Sequence, residues 1–553
     1  MEVPAQQEHT MPRHTRPTYT ALLPVLLLAF LLLLGCRKET QPAQATPDLP
    51  ETGSGVYVSI TVTADGGFGP SSARTGVPGT RVPNPGEVGD GEQSGTGDEN
   101  MVHDINVFFL QTSDGKGLNT TDGASAVNVM SAYFDNLSPD PSGTVTTYTT
   151  QAEEVEGLAI GGTYDVLVIA NAGNISSKIK TLEDLRNHAF DSPITDGVGG
   201  KHFLMASSGS DRNGNSVVDQ ITVIANNSPY NPATVSVCVE RLAARVDYHL
   251  AGEGDATGKY KVGETGDYVQ ILGAALANKY AGTTYAFKRV TNGLENMNPF
   301  IYLGDENTVG DNPATASNYV VDTKWTTDNV YNSEPRYVQG FASTDWSGTS
   351  TSDTGDDFAD WKSAENYSDG TTSEHDGVTY HLLDYTSENV VPADIVGGYH
   401  TVGDGSVSGL ARYCTGVVFK AQYLIDGKAN DNGEYNVYWY EGRAYSSIAD
   451  IGDGVPQDLD ESKYADYGIV KYPDGICYYT YWIRHADDGD PDKISPMEYA
   501  TVRNNIYQLN VSSISGIGTP EPEDNIRADI EVYVVNWNKI KTEDIVWGDS
   551  VND

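Results

Sequence analysis

The 553-residue sequence is poor in cysteine and in basic residues, and both shortages exclude functions. None of its four cysteines, Cys36, Cys238, Cys414 and Cys477, belongs to a C-x-x-C pair, so zinc-ribbon and thioredoxin-like motifs are absent. Cys238 and Cys477 lie in apolar runs and are predicted to be buried thiols. Because 34 Lys and Arg stand against 77 Asp and Glu, the formal net charge is −43. A chain this acidic repels phosphate groups, so we expect no nucleic-acid partner.

Motifs for catalysis and metal binding are also lacking. There is no H-E-x-x-H sequence, and no two of the ten His have a metal-binding spacing in a helical context. The segment Asp211–Asp219 resembles part of a calcium loop, but it lacks the terminal Glu of an EF-hand, so we interpret it as a polar turn. We predict no cofactor, no metal site and no enzymatic activity, although the many carboxylates leave a glycosidase-type pair open.

The apolar run Ala21–Leu34 has 14 residues, which is short for a membrane span. Arg13 and Arg16 precede it, so residues 1–35 have the basic and apolar parts of a signal peptide. The apolar run ends in Leu33-Leu34-Gly35-Cys36, and a small residue just before a Cys at this place resembles a bacterial lipobox. That resemblance implies cleavage before Cys36 and attachment of a diacylglycerol to its thiol. Because two acyl chains anchor a protein firmly, we expect an exported lipoprotein.

Short runs rich in Val, Ile, Thr and Tyr, separated by Gly, Asp and Asn, predict an all-β protein. The first run, Val56–Thr63, alternates strictly and places Val56, Val58, Ile60 and Val62 on one face of a strand. One short helix is predicted over Leu182–Phe190, with Thr181 as N-cap and Asp184 completing a capping box. Further strands are predicted at 105–110, 164–170, 234–239, 416–423, 435–440, 475–483, 506–514 and 530–535.

Segments without periodicity divide these strands into groups. Residues 66–100 are rich in Gly, Pro and Ser, and a Pro/Glu stretch over 518–525 precedes the last strand. The acidic segment 343–376 predicts an exposed insertion. A domain boundary at Glu240–Arg241 then gives two β-sandwich domains, residues 75–240 and 241–520.

Six places in the sequence together resemble the fimbrillins of Bacteroidales, the type V pilus subunits. The similarity is greatest to the shaft subunit of the short, minor fimbriae of Porphyromonas, and its most specific part is the Arg-Asn-Asn-x-Tyr pattern at Arg503–Tyr507. The six places are the lipobox at Cys36, residues 57–63 with 71–76, residues 166–171, residues 239–245, residues 501–507, and the terminal strand that ends at Trp537.

This resemblance implies two transthyretin-like β-sandwich domains in a subunit that travels to the outer membrane as a lipoprotein. It also implies that an extracellular arginine-specific protease cuts in the loop after the first strand. The matching position is Arg74, so the mature chain would begin at Thr75, and Arg81 is a second candidate. Residues 36–74 would then be a lipidated propeptide, and residues 521–553 a donor-strand segment.

Loss of the first strand would uncover an apolar groove. The four aliphatic side chains of the departing strand would take with them about 6–12 kcal/mol of hydrophobic stabilisation, at about 1.5–3 kcal/mol each. The opened sheet edge is a template for another strand. The C-terminal strand, with Ile530, Val532 and Val534 in alternation and Trp537 as an anchor, is predicted to fill the groove of the next subunit. A donor at one end and an acceptor at the other propagate as an open filament.

The sequence therefore favours the shaft subunit of a cell-surface fimbria with roles in adhesion and biofilm formation. The expected partners are identical subunits, anchor and tip subunits, an arginine-specific protease, and host or bacterial surface receptors. One alternative is a surface lipoprotein that does not polymerise, either a fimbrial anchor or accessory subunit or a glycan-binding protein that uses some of the 34 Tyr and 7 Trp. A β-sandwich hydrolase is another, and the last strand also fits simple completion of its own C-terminal domain.

Overall fold

A computed structural model of the chain confirms that the protein is all-β. Among the residues that the structure describes, the few helices are short and almost every regular element is a strand. The structure describes residues 55–64, 95–112, 127–140, 147–197, 200–207, 219–252, 258–280, 284–287, 289–290, 320–321, 337–347, 360–364, 370–375, 377–391, 410–428, 435–452, 454–485, 498–523, 533–536 and 543–547.

The described residues before position 242 form thirteen strands and one short helix. These elements are β1 Val56–Thr63, β2 Ile105–Thr112, β3 Val127–Phe134, β4 Leu137–Asp140, β5 Thr147–Thr150, β6 Glu153–Val155, β7 Thr163–Ala170, α1 Leu182–Arg186, β8 Ala189–Phe190, β9 Ile194–Gly197, β10 Gly200–Phe203, β11 Met205–Ser207, β12 Asp219–Thr222 and β13 Ala233–Arg241.

Ten of these strands form one sheet in the order β3-β2-β7-β11-β13-β1-β5-β4, with β12 beside β7 and β6 beside β1. The long strand β13 changes neighbours along its length. Its residues 233–238 pair in parallel with β1, and residues 239–241 pair antiparallel with β11. Side chains from both parts of the sheet share one hydrophobic core, which includes Ile60, Val107, Val168 and Val237. The strand β1 is therefore part of the core of this half.

The helix α1 begins with the predicted capping box. The Asp184 amide donates to Thr181 Oγ1 (3.0 Å), and the Thr181 amide donates to Asp184 Oδ2 (2.8 Å). The helix ends at Arg186, earlier than predicted, because β8 pairs with Thr284–Tyr285 from the second half of the chain. A pairing partner so distant in sequence is not visible in local helix propensity.

The described residues from position 243 onward carry nineteen more strands and several short helices. They are β14 Ala243–Leu250, β15 Lys259–Val262, β16 Asp267–Ala277, β17 Lys279–Tyr280, β18 Thr284–Tyr285, β19 Arg289–Val290, β20 Val320–Val321, β21 Tyr337–Val338, β22 Lys362–Ser363, β23 Thr372–His375, β24 Val378–Ser387, α2 Leu410–Tyr413, β25 Gly416–Leu424, β26 Asn436–Tyr440, β27 Arg443–Tyr445, α3 Ile448–Ile451, β28 Val470–Pro473, β29 Ile476–Trp482, β30 Asn505–Ile514, β31 Tyr533–Asn536 and β32 Glu543–Trp547, with 3-10 helices at Ile425–Gly427, Glu461–Lys463 and Ala465–Tyr467.

Two sheets dominate this second half. One has the order β23-β24-β14-β30-β31, with β32 also beside β30, and the other has the order β15-β16-β25-β29, with β22 beside β16. Val246 and Leu509 from the first sheet and Val269 and Phe419 from the second belong to a single core. Two sheets that share one core are what the sequence predicts for a β-sandwich. The transthyretin-like topology and the boundaries of the two domains stay predictions.

Two local expectations are wrong. The described parts of segment 343–376 are not a fully exposed insertion, because Trp346 is 6% exposed and stacks edge-on with Trp361 at 5.8 Å, while β22 and β23 pair with β16 and β24. Cys477 is buried as predicted, but Cys238 is only half-buried. On β13 the core face belongs to Val237 and Val239, so alternation turns Cys238 to the other side.

Candidate functional site

The strand β1 lies inside its sheet, with neighbours on both sides. Val58–Thr63 pair with β13, whereas on the other side Val56–Val58 pair with β6 and Thr61–Thr63 pair with β5. The side chains of Val58, Ile60 and Val62 have no exposed surface, and Val56 is 3% exposed. The predicted strand and its apolar face are confirmed. We call the channel between β13 on one side and β5 and β6 on the other the β1 groove.

The end of β1 is connected to the chain that follows it by one buried guanidinium. Arg241 Nη2 donates to the carbonyl oxygen of Ala64 (3.2 Å), the residue after β1, and its Nε donates to the carbonyl oxygen of Glu99 (2.8 Å). The predicted cleavage positions Arg74 and Thr75 fall between these two contacts and lie outside the described residues, as does the lipidation residue Cys36. Their roles stay predictions.

Glu99 is at the centre of a buried ionic cluster, the Glu99 cluster, which consists of Glu99, Arg245, Asp247 and Tyr385. Arg245 Nη1 lies 3.1 Å from Glu99 Oε1, and Arg245 Nε lies 2.7 Å from Asp247 Oδ1, with all three side chains at 0–1% exposure. The Tyr385 hydroxyl donates to Glu99 Oε1 (2.6 Å). Residues just beyond the predicted cleavage loop are thus held on β14 and β24 by contacts that do not involve β1.

The charge of Glu99 is favoured although the side chain is buried. Burial alone raises the pKa of the Glu99 carboxyl, but Arg245 and the hydrogen bonds from the Tyr385 hydroxyl and the Thr96 amide outweigh it, so the pKa is lower than usual. The sequence analysis did not find this cluster, because Glu99 stands in a Gly-rich segment without periodicity. The one available signal was the pair Arg245 and Asp247 inside an otherwise apolar strand.

We expect Glu99→Gln to lower the free energy of unfolding by about 3 kcal/mol at pH 7, because it removes one partner of a buried ion pair. Since the folded-state pKa of Glu99 is depressed, its carboxylate stabilises the fold above the unfolded pKa, near 4.5, and this contribution is lost as the pH falls through the folded-state pKa. Denaturant unfolding between pH 3 and pH 7 should therefore show the difference shrinking toward acid. The exposed Glu153→Gln is the control, and a difference that does not change with pH would contradict this assignment.

The C-terminal strands pair with β30 of their own chain. Val534 of β31 lies opposite Tyr507 in an antiparallel ladder, and β32 runs parallel to β30 from Leu509 to Ile514. Ile530, Val532 and Trp537 lie outside the described residues, so of the predicted donor residues only Val534 is located. The strand β32 was not predicted, because its apolar residues form a run of only three, Ile545–Trp547. The donor role of this segment stays a prediction.

The Arg-Asn-Asn-x-Tyr pattern forms the turn that leads into β30. Arg503 Nε donates to Glu388 Oε2 (3.1 Å) in a buried pair, and the Asn504 amide donates to the carbonyl oxygen of Ala243 (2.7 Å). Asn504 has a φ of +56°, a left-handed conformation that Asn tolerates better than most residues. The pattern therefore fixes the start of β30 against the start of β14.

A segment near the C-terminal end of the sequence matches a known family. Residues 470–543 match the family described as major fimbrial subunit protein type IV, fimbrillin, C-terminal. Over these residues the chain is similar to the C-terminal region of the fimbrillins. It contains β28 to β31 together with the Arg503–Tyr507 pattern, so the predicted resemblance to the fimbrillins is confirmed. The sequence has no match among curated proteins.

Solved structures with low similarity to this chain are those of cell adhesion and fimbrial proteins. A candidate cell adhesion protein from Parabacteroides distasonis has 14% identity and a TM-score of 0.39, covering 88% of this chain and 100% of its own. A candidate cell adhesion protein from Bacteroides eggerthii has 12% identity and a TM-score of 0.33, covering 91% and 100%. The tip fimbrial protein Mfa3 from Porphyromonas gingivalis, with a C-terminal truncation, has 11% identity and a TM-score of 0.33, covering 87% and 99%.

In the ranges that the structure describes, no group of three or more His, Cys, Asp or Glu side chains is placed to hold a metal ion. Within those ranges, no helix has the length and apolar character needed to cross a bilayer. Of the predicted polar turn Asp211–Asp219, only Asp219 lies among the described residues.

Proposed function

We propose that this chain is a shaft subunit of a cell-surface fimbria that polymerises by exchanging one β-strand for another after proteolysis. The observation that carries the proposal is the position of β1, which is buried, paired on both sides, and followed by a segment that contains Arg74 and Arg81. A strand in this position can be removed by one cut in that segment without breaking any other part of the chain.

An emptied β1 groove is a strong site for another strand. The side chains that leave it, Val56, Val58, Ile60 and Val62, are all buried, and β13 and β5 both lose ladder partners. Unpaired strand edges beside exposed apolar surface favour the addition of a new strand. The C-terminal segment supplies one with the same alternation, at Ile530, Val532 and Val534.

The pairing of β31 in the single chain is compatible with its release. Among the described residues β31 pairs with β30 alone, over four residues from Tyr533 to Asn536. A strand in the β1 groove pairs on two sides, over six residues with β13 alone. Transfer of the C-terminal segment from its own β30 to the groove of a second copy therefore gains backbone hydrogen bonds, which favours assembly.

The remaining steps follow from the N-terminal part of the sequence. The precursor is exported with a signal peptide over residues 1–35 and lipidated at Cys36, which holds it on the outer membrane. An arginine-specific protease then separates Arg74 from Thr75 and removes the lipid and β1 together. The resulting filament ends in anchor and tip subunits and supports adhesion and biofilm formation through receptors on host or bacterial surfaces.

One observation favours a second candidate, a fimbrial anchor, accessory subunit or glycan-binding lipoprotein that does not polymerise. Both described C-terminal strands, β31 and β32, pair with β30 of the same chain, as strands that complete their own domain do. In that case the lipid at Cys36 and the strand β1 would both be retained in the protein on the cell surface.

Electrophoresis of cell-surface material separates the two candidates. Strand-exchanged polymers resist detergent, so unheated samples should give a ladder of bands that collapses to a monomer on boiling. A chain that ends at residue 528 is the matched control, because it keeps the whole groove and lacks the donor strand. Monomers alone in the unheated wild-type sample, still carrying the lipid, would reject the shaft function and support the second candidate.

A further inference from the structure

The backbone of β1 is bound by side chains at two places where its ladders with the neighbouring strands are interrupted. The ladder with β13 begins at Val58, and one residue earlier Asn227 takes the place of a strand. The Tyr57 amide donates to Asn227 Oδ1 (2.7 Å), and Asn227 Nδ2 donates to the Tyr57 carbonyl oxygen (2.7 Å). A carboxamide has N–H donors and a carbonyl acceptor side by side, so it replaces both backbone groups of the missing neighbour.

The other side of β1 has a gap between β6 and β5. The pairing with β6 ends at Val58, and the pairing with β5 begins at Thr61. Between them the Ile60 amide donates to Thr150 Oγ1 (2.9 Å), and the Ser59 hydroxyl donates to the carbonyl oxygen of Thr150 (2.9 Å). Thr150 is 5% exposed, so the amide of Ile60 has a partner where water has little access.

We propose that Asn227 and Thr150 form a backbone clamp that binds an extended strand of a second copy of this chain after β1 has left. The groups that they bind on β1 through Asn227 Oδ1, Asn227 Nδ2 and Thr150 Oγ1 are main-chain groups, which every strand presents at the same spacing. The clamp therefore accepts any strand whose alternate side chains fit the apolar groove. This inference rests on the proposed function, since it requires that β1 be replaced.

The neighbouring residue Thr149 contacts a side chain of β1 rather than its backbone, so its contact depends on the sequence of the bound strand. Thr149 Oγ1 lies 3.2 Å from Thr61 Oγ1, a contact between two side chains. The C-terminal residues 529–537 contain no Ser or Thr, so they cannot reproduce this contact through a short hydroxyl side chain. Thr149→Val is thus a matched control for Thr150→Val, since both remove one hydroxyl group from adjacent positions of the same strand.

The test uses the full chain cut in the segment 65–94, in which a fluorescent peptide has replaced β1. The strength of binding is measured as the rate at which the bound peptide dissociates in an excess of unlabelled peptide. The peptides are residues 55–64, residues 529–537, and an unrelated strand of alternating Val and Thr. We expect Asn227→Leu and Thr150→Val each to weaken the binding of all three peptides by about tenfold. This is the effect of losing one or two hydrogen bonds to a buried strand. Thr149→Val should leave the binding of 529–537 unchanged.

A chemical change in the peptide tests the backbone contact itself. Methylation of the Tyr57 amide nitrogen in peptide 55–64 removes the donor that Asn227 Oδ1 accepts. It should weaken binding to the wild-type chain by about tenfold and have almost no further effect on Asn227→Leu, because the partner is already gone. If methylation weakens binding equally for the wild-type chain and for Asn227→Leu, then Asn227 does not accept a hydrogen bond from this amide and the proposal is overturned.

Two outcomes separate this inference from the proposed function. If the clamp variants weaken the 55–64 peptide and leave the other two peptides unchanged, the clamp is specific for β1 and the inference is wrong, while strand exchange stands. If the wild-type chain binds 55–64 and the Val-Thr strand but not 529–537, the C-terminal segment is not the donor and the proposed function is wrong. In that case the clamp variants are still compared on peptide 55–64 and the Val-Thr strand. Equal weakening of both peptides shows that the clamp binds main-chain groups.

Discussion

Replacement of both Arg74 and Arg81 by Ala is expected to abolish polymer formation and to leave a folded, lipidated precursor on the cells. The segment 65–94 contains both arginines, and in the uncut chain β1 occupies its groove. An occupied groove has no free strand edge, so a second copy has nothing to bind. The unheated detergent ladder should disappear, and the monomer should retain Cys36.

The two single variants show which arginine is used. If Arg74 is the cleavage position, Arg74→Ala alone removes the ladder and Arg81→Ala has little effect, and polymers from the wild type begin at Thr75. A Lys at either position is the control for charge, because it keeps the positive charge but is not a substrate for an arginine-specific protease. Polymers of normal length from the double Ala variant, with β1 still attached, would contradict gating of assembly by proteolysis.

The substitution Ile60→Asp is expected to destabilise the precursor by more than about 4 kcal/mol without weakening the finished polymer. Ile60 has no exposed surface in the core of the first half, and an unpaired carboxylate there is among the most damaging single changes. Chemical denaturation of the purified precursor measures the first effect. The second follows from the proposed strand exchange, in which β1 leaves before the polymer forms.

The position Thr61 supplies the matched control for Ile60. Thr61 is half-buried on the opposite face of β1, so Thr61→Asp should cost the precursor much less stability than Ile60→Asp. Polymers from the few Ile60→Asp chains that fold and are cleaved should dissociate at the same temperature as wild-type polymers. A polymer that is destabilised as much as the precursor would mean that β1 remains in the filament.

Local sequence patterns predicted where strands and helices lie better than they predicted which strands pair with each other. Strict alternation located β1 and its buried face, and the Thr181 and Asp184 pair located the start of α1. Alternation does not state which strand lies alongside, and the parallel neighbour of β1 begins at Ala233, far along the chain. The early end of α1 also depends on a distant partner, because β8 pairs with β18 from the second half of the chain.

The parts of the candidate site that the sequence did not reveal depend on contacts distant in sequence. Glu99 and Tyr385 are joined by a hydrogen bond although 286 positions separate them, and Asn227 binds Tyr57 across 170 positions. Isolated polar residues in Gly-rich or Asn-rich turns have no periodicity that would mark them for burial. Only the folded chain shows that they fill gaps between strands and complete an ionic cluster.

The most direct test of strand exchange identifies the strand that occupies the β1 groove in the polymer. Ser236 is exposed on β13 and lies opposite Thr61 of β1, so a photo-crosslinking residue can replace it without entering the core. Polymers assembled from this variant and a ¹⁵N-labelled copy are irradiated and analysed by mass spectrometry. Strand exchange predicts crosslinks from position 236 to labelled residues of the 529–537 segment, and crosslinks to 55–64 only in the uncut precursor. Crosslinks to the chain's own residues 55–64 in the polymer would contradict it.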